Sequence, residues 1–213
     1  MKSGALAAGL GLLALVIGCD PRLMPERPAV YGPWEEGLTL GYENPSSPAG
    51  MREQDRIQVR VKRSLATAEG RRVVLNISSM AGAMDTTFLQ SGGGITMVNV
   101  PEDKSRVLPK GFPDHVSRWQ DQGQMNWVVG RASVAFPGVQ LEPGSGQGVW
   151  VESVPVHGPG MRLRTLFLPG IGKAEILVFR NGNWYSIFHL ASRGFTDAPK
   201  DPEQDRNHGV ANE

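Results

Sequence analysis

A single cysteine, Cys19, stands in 213 residues, so the chain has no internal disulfide and must be stabilised by burial and hydrogen bonding. A surplus of charge is missing as well. The 22 basic and 21 acidic side chains nearly cancel, which leaves no long-range field to attract a nucleic acid or an anionic membrane surface. Metal-ligand spacing is also lacking: His115, His157, His189 and His208 are scattered, with no His-x-x-x-His and no cysteine pair to hold zinc. No cofactor is expected, since nucleotide fingerprints, calcium loops and redox motifs are all absent. The run Ser91-Gly92-Gly93-Gly94 is not followed by the lysine and hydroxyl of a phosphate loop. In Pro169 to Lys173, Phe167 stands where such a loop has its first glycine, and Ala174 follows the lysine. Ser145 lacks the spacing of a Gly-x-Ser-x-Gly nucleophile elbow.

What is present begins at the amino end. Lys2 supplies a positive charge, Ala5 to Ile17 is an almost unbroken apolar run, and Gly18-Cys19 closes it. That run is too short and wrongly flanked for a spanning helix and has the form of a secretory signal. It resembles the lipobox of bacterial lipoproteins, in which a small residue precedes a cysteine that receives a diacylglycerol before the leader is removed. The resemblance implies that residues 1–18 are a signal peptide and that Cys19 is the site of lipid attachment. It also implies that the mature chain hangs from the cell membrane or outer membrane, outside the cytoplasm. Asp20 is similar to the residue that retains lipoproteins in the inner membrane of enterobacteria. Several acyl chains hold a protein stably where one does not.

Without its leader the chain keeps 195 residues (213 less 18), enough for one domain with a full core or two small ones, with 21 bases and 21 acids. Pro21, Pro25, Pro28 and Pro33 make residues 19–33 a semi-rigid tether or a segment laid along the domain surface. Packing is expected to begin near Trp34 and to continue to residue 195. The polar residues 196–213 read as a loose tail.

Between those limits the dominant pattern has period two, with 27 glycines and 16 prolines as punctuation. Leu38, Leu40 and Tyr42 share one face of a strand over 37–43. Ile57, Val59 and Val61 alternate with Arg56, Gln58, Arg60 and Lys62; Val73, Leu75 and Ile77 answer them across a turn at Gly70, predicting an antiparallel hairpin over 56–78. The glycines at 92–94 predict a tight turn or bulge between runs 86–90 and 95–100. Pro101 to Gln124 is the longest irregular stretch. Asp114 caps a short helix there through Gln120, with Trp119 as its hydrophobic plug over an edge or barrel mouth. Further strands are expected over 125–136, with a bulge at Gly130, and over 149–154 and 161–168.

The strongest local signal is Asn181-Gly182 between runs 173–180 and 183–190, a two-residue hairpin that sets Arg180 opposite Asn183. Strict alternation then places Leu177, Phe179, Trp184, Ser186 and Phe188 on one face and Ile176, Val178, Tyr185 and Ile187 on the other. Both faces are mostly apolar, so this hairpin belongs in the middle of the fold. About nine strands in all suggest an all-β antiparallel β-sandwich of immunoglobulin-like character, with a small β-barrel of about eight strands as the alternative.

Three functions fit. The first is a non-catalytic binding or assembly module of the cell envelope, held to the membrane through Cys19 and presenting itself to an envelope protein. The second is a carbohydrate-binding module using Trp34, Trp119, Trp127, Trp150 and Trp184 as glycan platforms. The third is an anchored hydrolase drawing on Glu102, Asp103, Asp114 and His115. The basic face of the 56–78 hairpin has no interleaved aromatics for stacking on bases, so it reads as a solvated strand face rather than a nucleic-acid site. The binding module is the preferred reading, and no catalytic residue is assigned.

Overall fold

The computed structural model describes residues 30–48, 51, 55–101, 106–121, 123–142, 146–158 and 160–196. The expected signal peptide, Cys19, most of the tether, Glu102, Asp103, Ser145 and the tail from residue 197 lie outside them.

Twelve strands follow one another: β1 (Leu38–Glu43), β2 (Ile57–Thr67), β3 (Gly70–Ser79), β4 (Gly82–Ser91), β5 (Gly94–Met97), β6 (Arg106–Leu108), β7 (Arg118–Asp121), β8 (Gln124–Ser133), β9 (Gln147–Pro155), β10 (Leu163–Leu168), β11 (Gly172–Arg180) and β12 (Asn183–Phe195). All belong to one antiparallel sheet of order β6-β5-β4-β3-β2-β1-β12-β11-β10-β9-β8-β7. Each strand therefore pairs with its neighbour in sequence, except that β1 and β12 join the two halves of the chain. Side chains from every strand converge on one internal cavity, including Val107 of β6 and Trp119 of β7, the two sheet edges. One sheet thus curls into a nearly closed barrel, which replaces the expected two-sheet sandwich and agrees with the barrel alternative. A strand with one apolar face has two ways to bury it, against a second sheet or across its own curved sheet; alternation alone does not choose between them.

The predicted hairpins are observed. Thr67 pairs with Gly70 around Ala68-Glu69, and Ile57, Val59, Val73, Leu75 and Ile77 all line the interior. Gly92 and Gly93, both at positive φ, turn β4 into β5. Asn181 (φ 49°) and Gly182 (φ 82°) turn β11 into β12 with Arg180 opposite Asn183, and these strands stand seventh and eighth in the sheet order. Two expectations fail. Residues 114–120 form no helix: Trp119 sits on β7, paired with Asn126 of β8, because a free sheet edge offers a full ladder where a cap offers one bond. The faces of β12 also change. Ile176 pairs with Phe188 and Leu177 with Ser186, so Ile187 is an extra residue and Phe188 joins Ile176 on the interior face.

The gap between edges β6 and β7 is filled by residues 109–117. Phe112, 3% exposed, meets Tyr31, Trp119 and Phe167 edge-on at centroid distances of 5.2, 5.7 and 6.0 Å. Each such pair adds about 0.5–1.5 kcal/mol beyond the area it buries. Trp119 is therefore a plug, as its sequence context suggested. Outside the barrel, Phe136, Val139 and Leu141 from the β8–β9 connection pack with Trp150, Leu166 and Leu168.

Candidate functional site

The barrel encloses a cavity of about 570 Å³. Its wall is mainly aliphatic and aromatic, with Ile57, Val73, Phe88, Trp119, Phe167 and Phe188 contributing from six different strands. Both size and lining match small-molecule sites, which run from roughly 300 to 1,000 Å³ and carry few polar groups.

A strap of chain, Val30 to Pro33, lies across one end. The Gly170 N–H donates to the Val30 carbonyl at 2.8 Å, and the Gln90 Nε2 donates to the Pro33 carbonyl at 3.1 Å. Tyr31 is buried between them on Phe112, so the packed body starts before Trp34. Gly32 makes this crossing possible. A β-carbon there would lie 2.7 Å from Gln90 Nε2 and 2.8 Å from Ile95 Cδ1, closer than side-chain atoms approach.

Polar groups occupy two places in the lumen. At the strap end stand Lys173 and Gln90; a β-carbon at Gly172, the residue before Lys173, would lie 3.2 Å from Pro33 Cδ and 3.4 Å from Gly32 Cα. Further along, Ser153 Oγ and Asn126 Oδ1 share a hydrogen bond of 2.6 Å. Lys173 pairs with Phe167, and Ser153 with Leu163, four residues away on β10 or about 13 Å at the usual strand rise. Lys173 is exposed, and the space it faces is the lumen. Burial alone pulls its amine below the ordinary lysine range. Among the described residues no carboxylate or carbonyl pairs with it. The Gln90 Oε1 is also buried without a partner. Arg106 and Asp121 are the other charged residues on the wall, and Asp121 is engaged in contacts of its own.

Lys173 is the residue that sequence reading missed. Its available signal was a lysine set among Ile171, Ala174 and Ile176 in a strand, an apolar setting for a charge.

A second polar cluster lies on the outer wall. Glu152, only 1% exposed, accepts from Arg162 Nε at 2.5 Å and Arg164 Nε at 2.8 Å. Trp184 lies beneath both guanidinium groups, at 5.5 and 4.4 Å from its ring centroid. Burial would raise the Glu152 carboxyl, but the hydrogen bonds and charges of Arg162 and Arg164 outweigh it and hold the group below the usual carboxylate range. A satisfied pair of this kind is structural. It also occupies Trp184.

The remaining candidates disperse. Asp114 pairs with Arg131, and His115 and His157 are exposed on loops. His189 is a framework residue, 3.5 Å from Glu175 and packed on Phe136. No group of three histidine, cysteine, aspartate or glutamate side chains among the described residues could hold a metal. Of the five tryptophans only Trp34 is exposed, so a platform of two exposed indoles does not form. On the basic hairpin face Lys62 pairs with Asp85 at 2.7 Å, and Arg71 covers Trp34. Among the described residues no helix is long and apolar enough to cross a membrane.

The fold and lumen define an all-β antiparallel barrel with an internal apolar cavity. Two solved structures share this architecture. One is a protein from Bacteroides fragilis NCTC 9343, described by its inferred export and its YmcC-like fold. It is 15% identical, covers 78% of this chain and 99% of its own, and superposes with a TM-score of 0.53. The other is an inferred lipoprotein from Parabacteroides distasonis ATCC 8503, 10% identical, covering 79% of this chain and 100% of its own, with a TM-score of 0.51. Identities this low establish the fold alone. No protein-family model matches the chain, and no curated protein matches it.

Proposed function

We propose that this chain is a cell-envelope lipoprotein, anchored through Cys19, whose barrel works as a binding module by holding a small apolar molecule in its lumen. The observation that carries this reading is the cavity of about 570 Å³ to which all twelve strands contribute. Protein interiors are normally filled to crystal-like density, so an apolar void of this size is costly unless something occupies it. The anchor rests on the leader and Cys19, and the names of the two structural neighbours, one for export and one for lipidation, support it.

Anchoring and lumen are geometrically connected. Ten residues lie between Cys19 and Val30, a reach of about 34 Å at the rise per residue of proline-rich chain. The strap that closes the cavity is thus the first part of the barrel that the tether reaches. Anchorage would hold that end of the lumen within one tether length of the bilayer. A catalytic role has no comparable support, since the acids and histidines do not converge.

The test is binding of a neutral fluorescent probe, N-phenyl-1-naphthylamine, to the full chain carrying Cys19→Ser, which leaves residues 30–196 unaltered. Saturable binding of one probe per chain is expected. Absence of binding by a folded protein contradicts the reading.

A further inference from the structure

We propose that the lumen is selective for a single-chain amphiphile with an anionic head, the head pairing with the Lys173 ammonium at the strap end and the chain lying along the apolar wall. This inference rests on the lumen being a binding site and adds the chemical class of what it binds.

Three observations carry it. First, capacity limits the ligand. At roughly 30 Å³ for each small group in a liquid, 570 Å³ holds on the order of twenty non-hydrogen atoms. One acyl chain with a compact head fits this volume, whereas a two-chain phospholipid does not. Second, the wall between the strap and the far end is mainly apolar, with Thr165 a polar residue on β10 between them. Val73, Phe88, Ile176 and Phe188 line it between the strap and the far end, and the Asn126–Ser153 hydrogen bond stands apart from Lys173 by about 13 Å of strand. Third, the strap end holds two unfulfilled polar groups. The Lys173 ammonium has no anion among the described residues, and the Gln90 Oε1, on a side chain 6% exposed, has no donor.

Lys173 owes its place to local irregularity. Ile176 faces the lumen, and plain alternation from it would send Ala174 inward and Lys173 out beside Glu175. Instead Leu166 pairs with Glu175 and Phe167 with Lys173, so Ala174 is an extra residue and Lys173 turns inward. An ammonium that faces a mainly apolar wall gains from an anion placed beside it. An anionic head supplies that partner. A neutral or cationic amphiphile satisfies the wall and leaves Lys173 unpaired.

Displacement of N-phenyl-1-naphthylamine by a matched set of sixteen-carbon compounds tests this: palmitate, hexadecyl phosphate, hexadecanol and hexadecyltrimethylammonium. For the full chain carrying Cys19→Ser, either anion is expected to displace the probe at a concentration about tenfold lower than the alcohol needs, as one charge-assisted pair implies. The tighter anion identifies the head as carboxylate or phosphate. Lys173→Met is expected to keep probe and alcohol binding while losing the preference for anions. Lys173→Gln serves the same purpose if the methionine variant does not fold. Equal displacement by anion and alcohol in the unaltered lumen, or an anion preference that survives both variants, overturns the inference and leaves lumen binding intact. Failure of the probe to bind at all overturns both.

Discussion

Lys173 stands directly across from Phe167 in the β10–β11 ladder, and both line the lumen. The pairing exists because Ala174 is an extra residue in β11; with the same residues in unbroken alternation Ala174 would face Phe167 and the lysine would stand on the outer wall beside Glu175. A single bulge therefore decides whether the Lys173 cation joins Arg106 on the lumen wall.

Replacing that cation should stabilise the empty protein. The Lys173 amine is held below its ordinary value of 10.5, so between the folded value and 10.5 the unfolded chain binds more protons than the folded one. Stability contributed at this site accordingly rises with pH through that window, and the penalty is largest below it. Lys173→Met is expected to raise stability at pH 7, by less than a fully buried charge would imply because solvent in the lumen screens the amine, with the gain shrinking as pH approaches 10.5. Urea denaturation across that pH range measures it. A destabilised methionine variant at neutral pH contradicts the assigned burial.

Glu152 gives the opposite dependence. Its folded value is depressed by Arg162 and Arg164, so its contribution is complete above the ordinary 4.5 and is lost as pH falls from there through the folded value. Glu152→Gln should cost about 1–3 kcal/mol at pH 7, discounted from a fully buried pair because the two arginines remain partly exposed. The difference between the proteins should diminish in acid. Thermal unfolding at pH 7 and pH 3 separates this from a general acid effect.

The seam between β6 and β7 should be the barrel's weak place. Phe112→Ala removes the ring that Tyr31, Trp119 and Phe167 all touch, and a loss of about 3–5 kcal/mol is expected. Hydrogen exchange should quicken first in β5 to β7, leaving the β1–β12 centre protected. Uniform acceleration across the sheet would argue that the seam is not separately held.

Cys19→Ala should move the chain from the membrane fraction to the soluble fraction without changing its melting temperature. Lipid attached at that sulfur is the anchor that the resemblance of the leader to a lipobox implies. Continued membrane association of the variant would remove the basis for calling the protein a lipoprotein.

Most of the strands could be read from the chain because their signals are local. Ile57, Val59 and Val61 opposite Leu75 and its neighbours, and Asn181-Gly182 between two apolar runs, need only period two and turn chemistry to be placed. Curvature was not legible, since a sheet that closes on itself and one that packs on another bury the same alternate residues. The region 106–121 was misread for a related reason: β6 and β7 are three- and four-residue edges whose identity comes from β5 and β8 rather than from their own sequence. The lumen cation was hidden by the bulge at Ala174, just as the face of Phe188 was hidden by the one at Ile187. Each bulge reverses the parity on which a reading by alternation depends.

The most direct measurement is native mass spectrometry of the protein released gently from the envelopes of the cells that make it. The account predicts a population heavier than the covalent chain by the mass of one single-chain anionic amphiphile, lost on denaturation and diminished in Lys173→Met. A single species at the covalent mass, from protein whose lumen binds no added probe, would contradict it.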